Sequence, residues 1–270
     1  MNKILIKIAS TLFPKRIAAY AYKQLTNPQV RKLRQNELAT LHKAEKETYP
    51  FKGFDIQLYH WRGSEKKIFL IHGWEGQAGN FSDLIEELLL NDYTIYAFDG
   101  PSHGYSSKGR TSLFEFTELV GVLIERFQVK HLISHSFGGV ATTYALFDNK
   151  HLKIDTYILL TTPDKFIERI DDVSKSVGIT AKVKTLLIKR LEKEVNMDIT
   201  TLNVSDFVKS INVKKSLIIH DTNDKVLPIS RSLNVHKNWS VSTFKEITGT
   251  GHFRILRTKK VIDMVVDYLS

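Results

Sequence analysis

The sequence has 270 residues, of which 42% are hydrophobic and 25% charged, and it contains no cysteine, which excludes disulfides, thiolate metal sites and a cysteine nucleophile. The net charge is +10, but residues 1–36 hold eight Lys or Arg and no acid, so the rest of the chain is close to neutral. We therefore expect no nucleic-acid partner for the main body of the protein.

Residues 1–45 are predicted to form a basic helical extension that precedes the main domain. Lys7, Lys15 and Arg16 interrupt its apolar runs and Pro14 breaks them, so we expect neither a cleaved secretory signal nor a transmembrane segment. Apolar residues are interleaved with the cations throughout this segment: Ile4, Leu5, Ile8, Leu12, Ala19, Tyr22 and Leu25.

Two arrangements of residues 1–36 remain open. In the first, the apolar residues pack on the rest of the protein and the cations face water. In the second, the segment lies on an anionic bilayer, which attracts basic segments by ~1 kcal/mol per residue near the surface. Because Pro14 limits any single long amphipathic face, we favour packing over peripheral membrane contact. Deletion of residues 1–36 is then expected to lower the melting temperature or the solubility.

From about residue 54 onward, short apolar runs alternate with helical patterns. The predicted strands cover residues 54–61, 67–71, 93–98, 129–133, 154–160, 215–220 and 242–247. The predicted helices cover residues 80–89 (with Asn80 as the cap), 113–127, 137–147 and 255–269. This alternation predicts an α/β fold with a mostly parallel central sheet and helices on both faces.

Residues 162–212 contain no strand-like run and are predicted to be helical. Thr162, Pro163 and Asp164 are typical of a helix start, and Gly178 is typical of a helix end. The segment is therefore predicted to be an insertion between two sheet strands. Residues 46–161 and 213–270 would together form the core of a single domain.

Ser136 lies where a predicted strand turns directly into a helix. The sequence Ser134-His135-Ser136-Phe137-Gly138 has the form of a nucleophile elbow, G-x-S-x-G, with Ser134 in place of the first glycine. The elbow requires small residues at these positions because the strand and the helix approach closely there. Ser136 is therefore the candidate nucleophile.

A serine nucleophile needs a base within hydrogen-bond reach and an acid that orients the base. In hydrolases with this elbow, the chain order is nucleophile, acid, base. The loop after strand 215–220 offers Asp221 and Asp224, of which the spacing favours Asp224, and His252 follows the last strand. These loops lie at the carboxyl edge of a parallel sheet, where such sheets build their sites.

An oxyanion hole requires two backbone N–H groups near the nucleophile. One is expected from Phe137, the residue after Ser136. The other is expected from Trp74, in the loop that follows the strand at residues 67–71.

Taken together, these motifs resemble those of the α/β-hydrolase superfamily. The oxyanion loop at residues 72–74, the loop at residues 99–106 with its D-x-P-x-H-G-x-S pattern, the elbow, the acid loop and the base loop occur in that family's order over about residues 50–270. The resemblance implies an α/β-hydrolase fold in which residues 162–212 form a small helical cap. It also implies that His72 and His103 brace two loops by hydrogen bonds or line the pocket. The His-Gly-Trp-Glu-Gly loop is similar to that of a bacterial subgroup described only as hydrolases.

The predicted function is a cytoplasmic serine hydrolase, a carboxylesterase that cleaves a small acyl substrate through an acyl-enzyme. No residues have metal-ligand spacing and no glycines form a phosphate-binding pattern, so we expect no metal and no cofactor. Thioesterase, amidase, C–C hydrolase and acyltransferase activities remain open because the same triad serves them. Two alternatives to this function differ in kind. The protein could be a non-catalytic homologue that binds a ligand, or an enzyme that acts on lipids at a membrane surface.

Overall fold

The computed structural model describes residues 3–270, without the side chains of Lys3, Ile4, Ser176 and Val195. Residues 1–2 and the side chain of Ile4, one of the apolar residues named in the amino-terminal segment, lie outside this description. The fold is built on an eight-stranded sheet with the order β1-β2-β4-β3-β5-β6-β7-β8. Its strands are β1 (Glu45–Phe51), β2 (Phe54–Trp61), β3 (Lys67–Ile71), β4 (Thr94–Phe98), β5 (His131–His135), β6 (Ile154–Leu160), β7 (Val213–Asp221) and β8 (Ser242–Ile247).

Helices flank the sheet, and they also form both ends of the chain, before the first strand and after the last one. They are α1 (Lys3–Leu12), α2 (Pro14–Thr26), α3 (Gln35–His42), α4 (Ser82–Leu90), α5 (Leu113–Phe127), α6 (Phe137–Asp148), α7 (Phe166–Val177), α8 (Ala181–Val195), α9 (Val204–Phe207), α10 (Ile229–Lys237), α11 (Gly251–Arg254) and α12 (Lys259–Leu269). Short 3-10 turns lie at Ala78–Phe81, Ile199–Thr201 and Ile255–Arg257. Among residues 3–270, none of the helices has the length and apolar content required to cross a bilayer.

The sheet is parallel from β4 to β8, and antiparallel pairing is confined to β1, β2 and the β2–β4 contact. The parallel strands other than the edge strand β8 are largely buried on both faces, because successive side chains point to opposite sides and each side is covered by helices. In β3, Ile68 and Leu70 belong to one core layer, and Phe69 and Ile71 to the other. This arrangement is the α/β-hydrolase fold, and the predicted fold is confirmed.

The amino-terminal helices make two different kinds of contact. In α2, Tyr22 is buried, its hydroxyl donates a hydrogen bond to Glu194 of α8, and the Arg190 guanidinium lies 3.8 Å from the centre of its ring. In α1, by contrast, Ile8 and Leu12 are 52% and 65% exposed. The expectation that the apolar residues of this segment pack on the body is therefore wrong for the outer face of α1.

Three predicted helix starts were wrong. The last predicted helix, placed from residue 255, is α12 and begins at Lys259, after the 3-10 turn at Ile255–Arg257. The helix expected at Pro163 begins at Phe166, because the preceding residues pair with the segment before α9: Lys165 bridges to Asn203, and the Asp164 carboxylate accepts a hydrogen bond from the Ser205 N–H at 2.9 Å. Asn80 does not cap α4, which begins two residues later. Its side-chain oxygen instead accepts the Gln77 N–H at 3.0 Å.

Candidate active site

Ser136 occupies a strained turn between β5 and α6. Its φ of 52° and ψ of −121° lie in a region that L-residues rarely adopt, as the elbow geometry demands. The turn brings α6 very close to β3, so that a Cβ atom on Gly138 would lie 2.5 Å from the carbonyl oxygen of His72. Ser134, which replaces the first glycine of the motif, is buried with its hydroxyl 2.9 Å from that of Thr142.

The side chains of Ser136, His252 and Asp224 form a continuous hydrogen-bonded chain. Ser136 Oγ lies 3.1 Å from His252 Nε2, and His252 Nδ1 lies 2.8 Å from Asp224 Oδ2. The other carboxylate oxygen, Oδ1, accepts the N–H groups of Val226 and Leu227 at 2.7 and 2.9 Å. Burial alone would raise the pKa of Asp224, but the hydrogen bond and charge of His252 and these backbone donors lower it below its ordinary value. Asp224 is therefore ionised and points at the imidazole.

Asp221 lies in the same region but does not contact the imidazole. Its Oδ2 accepts hydrogen bonds from the N–H and hydroxyl groups of Thr250 and from the N–H of Gly251, and its Oδ1 accepts the Asn223 N–H at 2.7 Å. Burial opposes its ionisation, but these donors together lower its pKa. Asp221 thus anchors the loop that carries His252, and Asp224 alone reaches the histidine ring.

Two further buried histidines surround this chain of residues. His135 donates from Nε2 to the carbonyl oxygen of His252 at 2.9 Å, and burial lowers its pKa to about 3, so it stays neutral. His220 lies 3.0 Å from the Leu227 carbonyl oxygen and 3.6 Å from Asp224. The sequence motifs did not single out His220. The sequence feature that could have identified it is its position near the end of a buried strand, next to Asp221 and four residues before Asp224.

The two predicted oxyanion donors are Phe137, which directly follows Ser136, and Trp74, which follows Gly73; a Cβ atom on Gly73 would lie 3.2 Å from that of Ser136. Within residues 3–270, neither the Trp74 N–H nor the Phe137 N–H donates to a protein acceptor, and both residues line the cavity that contains Ser136. Their rings pack edge to face at 5.2 Å. Unpaired N–H groups at this position are available to an oxygen atom of a bound substrate.

His72 and His103 join the loops at the site. The Gly100 N–H donates to His72 Nε2 at 2.9 Å, and His72 Nδ1 donates to the Gly73 carbonyl oxygen at 2.8 Å. The Glu75 N–H donates to His103 Nε2 at 3.2 Å. Burial lowers the pKa of both histidines, so each is neutral and can accept one of these bonds. They hold the loop after β3 against the loop after β4 and do not contact Ser136.

Ser136 opens into a large apolar cavity of about 1080 Å³. Its walls come from α1 and α2 as well as from α7 and α8, and they include Ile6, Ile17, Val140, Phe166, Leu187 and Leu191. Seven lysine or arginine residues but only two glutamates also line it. Among residues 3–270, no group of three His, Asp or Glu side chains is placed to hold a metal ion.

Comparison with known proteins supports the same fold and a hydrolase-like class of protein. Residues 68–183 match a family model described as the alpha/beta hydrolase family. A curated relative, the uncharacterized hydrolase YugF of Bacillus subtilis, is 30% identical over 106 residues, which are 37% of this chain and 38% of the relative. The chain thus spans well under half the length of that protein.

Solved structures share the fold at low sequence identity. The esterase EaEST from Exiguobacterium antarcticum has a TM-score of 0.61 and 16% identity over 80% of this chain and 96% of that one. A membrane phospholipase A, described as a bacterial virulence factor, has a TM-score of 0.66 and 15% identity over 97% of this chain and 94% of that one. These structures share the α/β-hydrolase fold, and the family match over residues 68–183 supports the resemblance to that superfamily, whereas the narrower bacterial subgroup stays a prediction.

Proposed function

We propose that this protein is a serine hydrolase that cleaves a carboxylic ester through an acyl-enzyme. The observation that carries the proposal is the chain of hydrogen bonds from Ser136 through His252 to Asp224. The family match and the YugF relative, both described as hydrolases, support the same class of activity. The esterase name of one structural neighbour, EaEST, supports an ester as the substrate.

In the acylation step, Ser136 Oγ attacks the ester carbonyl carbon while His252 Nε2 takes the hydroxyl proton. Asp224 accepts a hydrogen bond from Nδ1, which fixes the tautomer and stabilises the imidazolium that forms. The negative charge on the carbonyl oxygen is met by the N–H groups of Trp74 and Phe137. Collapse of the tetrahedral intermediate breaks the ester C–O bond, and His252 returns its proton to the departing alcohol.

In the deacylation step, water replaces the alcohol. His252 removes a proton from the water, which attacks the acyl carbon, and Ser136 leaves with that proton. The carboxylic acid product is released into the cavity, and the resting hydrogen bonds are restored. Thioesters, amides and acyl-transfer acceptors would pass through the same steps, so a substrate panel must separate them.

The proposal includes several further assignments. It divides the chain into an extension at residues 1–45, a core of residues 46–161 and 213–270, and a cap at residues 162–212. The cap is supported by α7 and α8, which contribute to the cavity wall. The proposal also places the protein in the cytoplasm, since a chain without cysteine forms no disulfides and gains nothing from an oxidising compartment.

A series of p-nitrophenyl esters of increasing acyl length tests the activity. We expect turnover of at least part of the series, with a preference for medium or long chains because the cavity is large and apolar. Ser136→Ala is the control and should reduce turnover by several powers of ten with unchanged folding by circular dichroism. Failure to hydrolyse any ester, or full activity in Ser136→Ala, would refute the proposal.

A further inference from the structure

Helix α1 is apolar on two faces. On its inner face, Ile6 is buried and lines the cavity together with Ala9. On its outer face, Leu5, Ile8 and Leu12 are 62%, 52% and 65% exposed. At about 100° per residue, these three side chains fall within roughly 60° of arc, so they form one row along the helix.

This outer row is continuous with the mouth of the cavity. Phe13, 53% exposed, follows Leu12 directly at the junction with α2 and adds a second exposed apolar side chain there. Leu5 and Tyr20 are both exposed and also line the cavity, and Phe253, 54% exposed, lines it as well. A contiguous apolar surface of this kind marks an interaction site rather than scattered exposed residues.

The surroundings of this row are strongly cationic. Seven lysine and arginine side chains of the amino-terminal segment are exposed, and they are Lys7, Lys15, Arg16, Lys23, Arg31, Lys32 and Arg34. In the described part of the chain, only Arg34 among them has a carboxylate within ion-pair distance. An apolar row bordered by unpaired cations can bind a surface that carries negative charge on its outside and hydrocarbon beneath it, as an anionic bilayer does.

We propose that the outer face of α1 docks the protein on an anionic phospholipid bilayer. Ile8, Leu12 and Phe13 insert among the acyl chains, and the neighbouring cations contact the lipid phosphates. The mouth of the cavity then faces the bilayer, so that lipophilic esters enter it without passing through water. The entry of such esters rests on the proposed esterase function, whereas the docking does not.

The cavity is suited to this route. Its volume of about 1080 Å³ slightly exceeds the roughly 300–1,000 Å³ that is usual for small-molecule sites. Leu5 and Tyr20 at the mouth and Ser136 all belong to the same cavity. An acyl chain can therefore stay in contact with apolar walls from the bilayer to the nucleophile.

The docking is tested with the full chain carrying Ser136→Ala, which prevents turnover during the measurement. Co-sedimentation with vesicles containing roughly 30% phosphatidylglycerol should show binding that about 0.5 M salt weakens strongly. Vesicles of phosphatidylcholine alone should bind much less. Adding Ile8→Ser, Leu12→Ser and Phe13→Ser should weaken binding about tenfold or more. The matched control adds Leu90→Ser and Val241→Ser, which alter exposed apolar residues elsewhere and should bind normally.

Charge reversal provides a second test. Lys7→Glu, Lys15→Glu and Arg16→Glu together should abolish binding to the anionic vesicles. The matched control carries Lys66→Glu, Lys153→Glu and Lys237→Glu. These exposed lysines precede β3, β6 and β8, at the amino-terminal edge of the parallel strands and opposite the cavity, so this variant should retain binding. Equal losses in both triple variants, or no binding by the parent protein, would overturn the docking proposal.

Activity separates docking from catalysis. With Ser136 intact, the Ile8, Leu12 and Phe13 variant should hydrolyse a soluble short-chain ester normally and lose turnover of a long-chain ester held in the vesicles. Vesicle binding without hydrolysis of either ester would support docking and refute the esterase function instead. If the unmodified protein is a dimer that ignores vesicles, and the variant is a monomer, a second copy covers this face and the bilayer proposal is wrong.

Discussion

Two carboxylates lie three residues apart, Asp221 at the end of β7 and Asp224 in the loop that follows, and we expect their replacement by asparagine to have different consequences. Asp221 Oδ2 receives three hydrogen bonds from Thr250 and Gly251, so it holds the loop that carries the base. Asp224 Oδ2 receives its hydrogen bond from the ring of His252. Asp221→Asn is therefore expected to act mainly on stability, and Asp224→Asn on catalysis.

The stability effect of Asp221→Asn follows from its contacts. A hydrogen bond to a charged group contributes about 1.5–3 kcal/mol to stability. In Asp221→Asn, an amide nitrogen in place of Oδ2 could not accept hydrogen bonds from the three donor groups that face it. Because part of this loss is recovered by rotation and loop adjustment, we expect about 3 kcal/mol lower free energy of unfolding. For a chain of this size that corresponds to a fall of roughly 6–12 °C in Tm. Activity below the melting transition should fall much less than in Asp224→Asn.

Asp224→Asn is expected to change which nitrogen of His252 carries the proton. The amide oxygen can still accept the N–H groups of Val226 and Leu227, but the amide nitrogen would donate to Nδ1. Nε2 would then carry the proton and could no longer accept one from Ser136. By analogy with other triads, kcat should fall by about 10⁴. Ester kinetics and thermal melts on the same preparations measure both effects. A larger loss of activity in Asp221→Asn than in Asp224→Asn, with both folded, would refute the assignment.

Three further perturbations test the surroundings of the site. Because burial depresses the pKa of His135 to about 3, its contribution to stability is complete above pH ~6.5 and falls as the pH drops toward 3, by about 2 kcal/mol at pH 5. Urea unfolding of His135→Gln should therefore lose less stability on acidification than the wild type, and equal slopes would contradict this. Gly138→Ala should be poorly folded in expression and melting tests, since its Cβ would clash with the His72 carbonyl; a normal Tm would contradict the packing. Deletion of residues 1–36 should lower Tm because it removes buried Tyr22 from α8, and an equally stable truncation would be the contrary result.

Much of the fold could be predicted because its parallel strands are buried on both faces. Such strands appear in the sequence as largely apolar runs, and β3 and β6 have the bounds that were predicted. Helix α5 also has its predicted bounds, because Ser112 and Glu115 form a capping box at its start. The elbow was predictable for a different reason, since its close strand–helix contact admits only small residues.

Other elements depend on tertiary contacts that a sequence pattern does not contain. Strand β1 is polar and largely exposed, and it forms through pairing with β2 across a turn at Lys52 and Gly53, both of which have positive φ. The role of Asp221 required knowledge of where Thr250 lies, 29 residues away. Likewise, the apolar spacing in α1 indicated a helix but not which of its faces would remain in contact with solvent.

The central claim is that Ser136 is an activated nucleophile, and covalent labelling tests it most directly. The folded protein is incubated with a fluorophosphonate, which phosphonylates serines that have a base within reach, and its intact mass and peptide map are measured. We predict a single adduct per chain, located on Ser136 and absent from Ser136→Ala. A folded protein that gains no adduct, or gains it at another residue, would contradict the proposed mechanism.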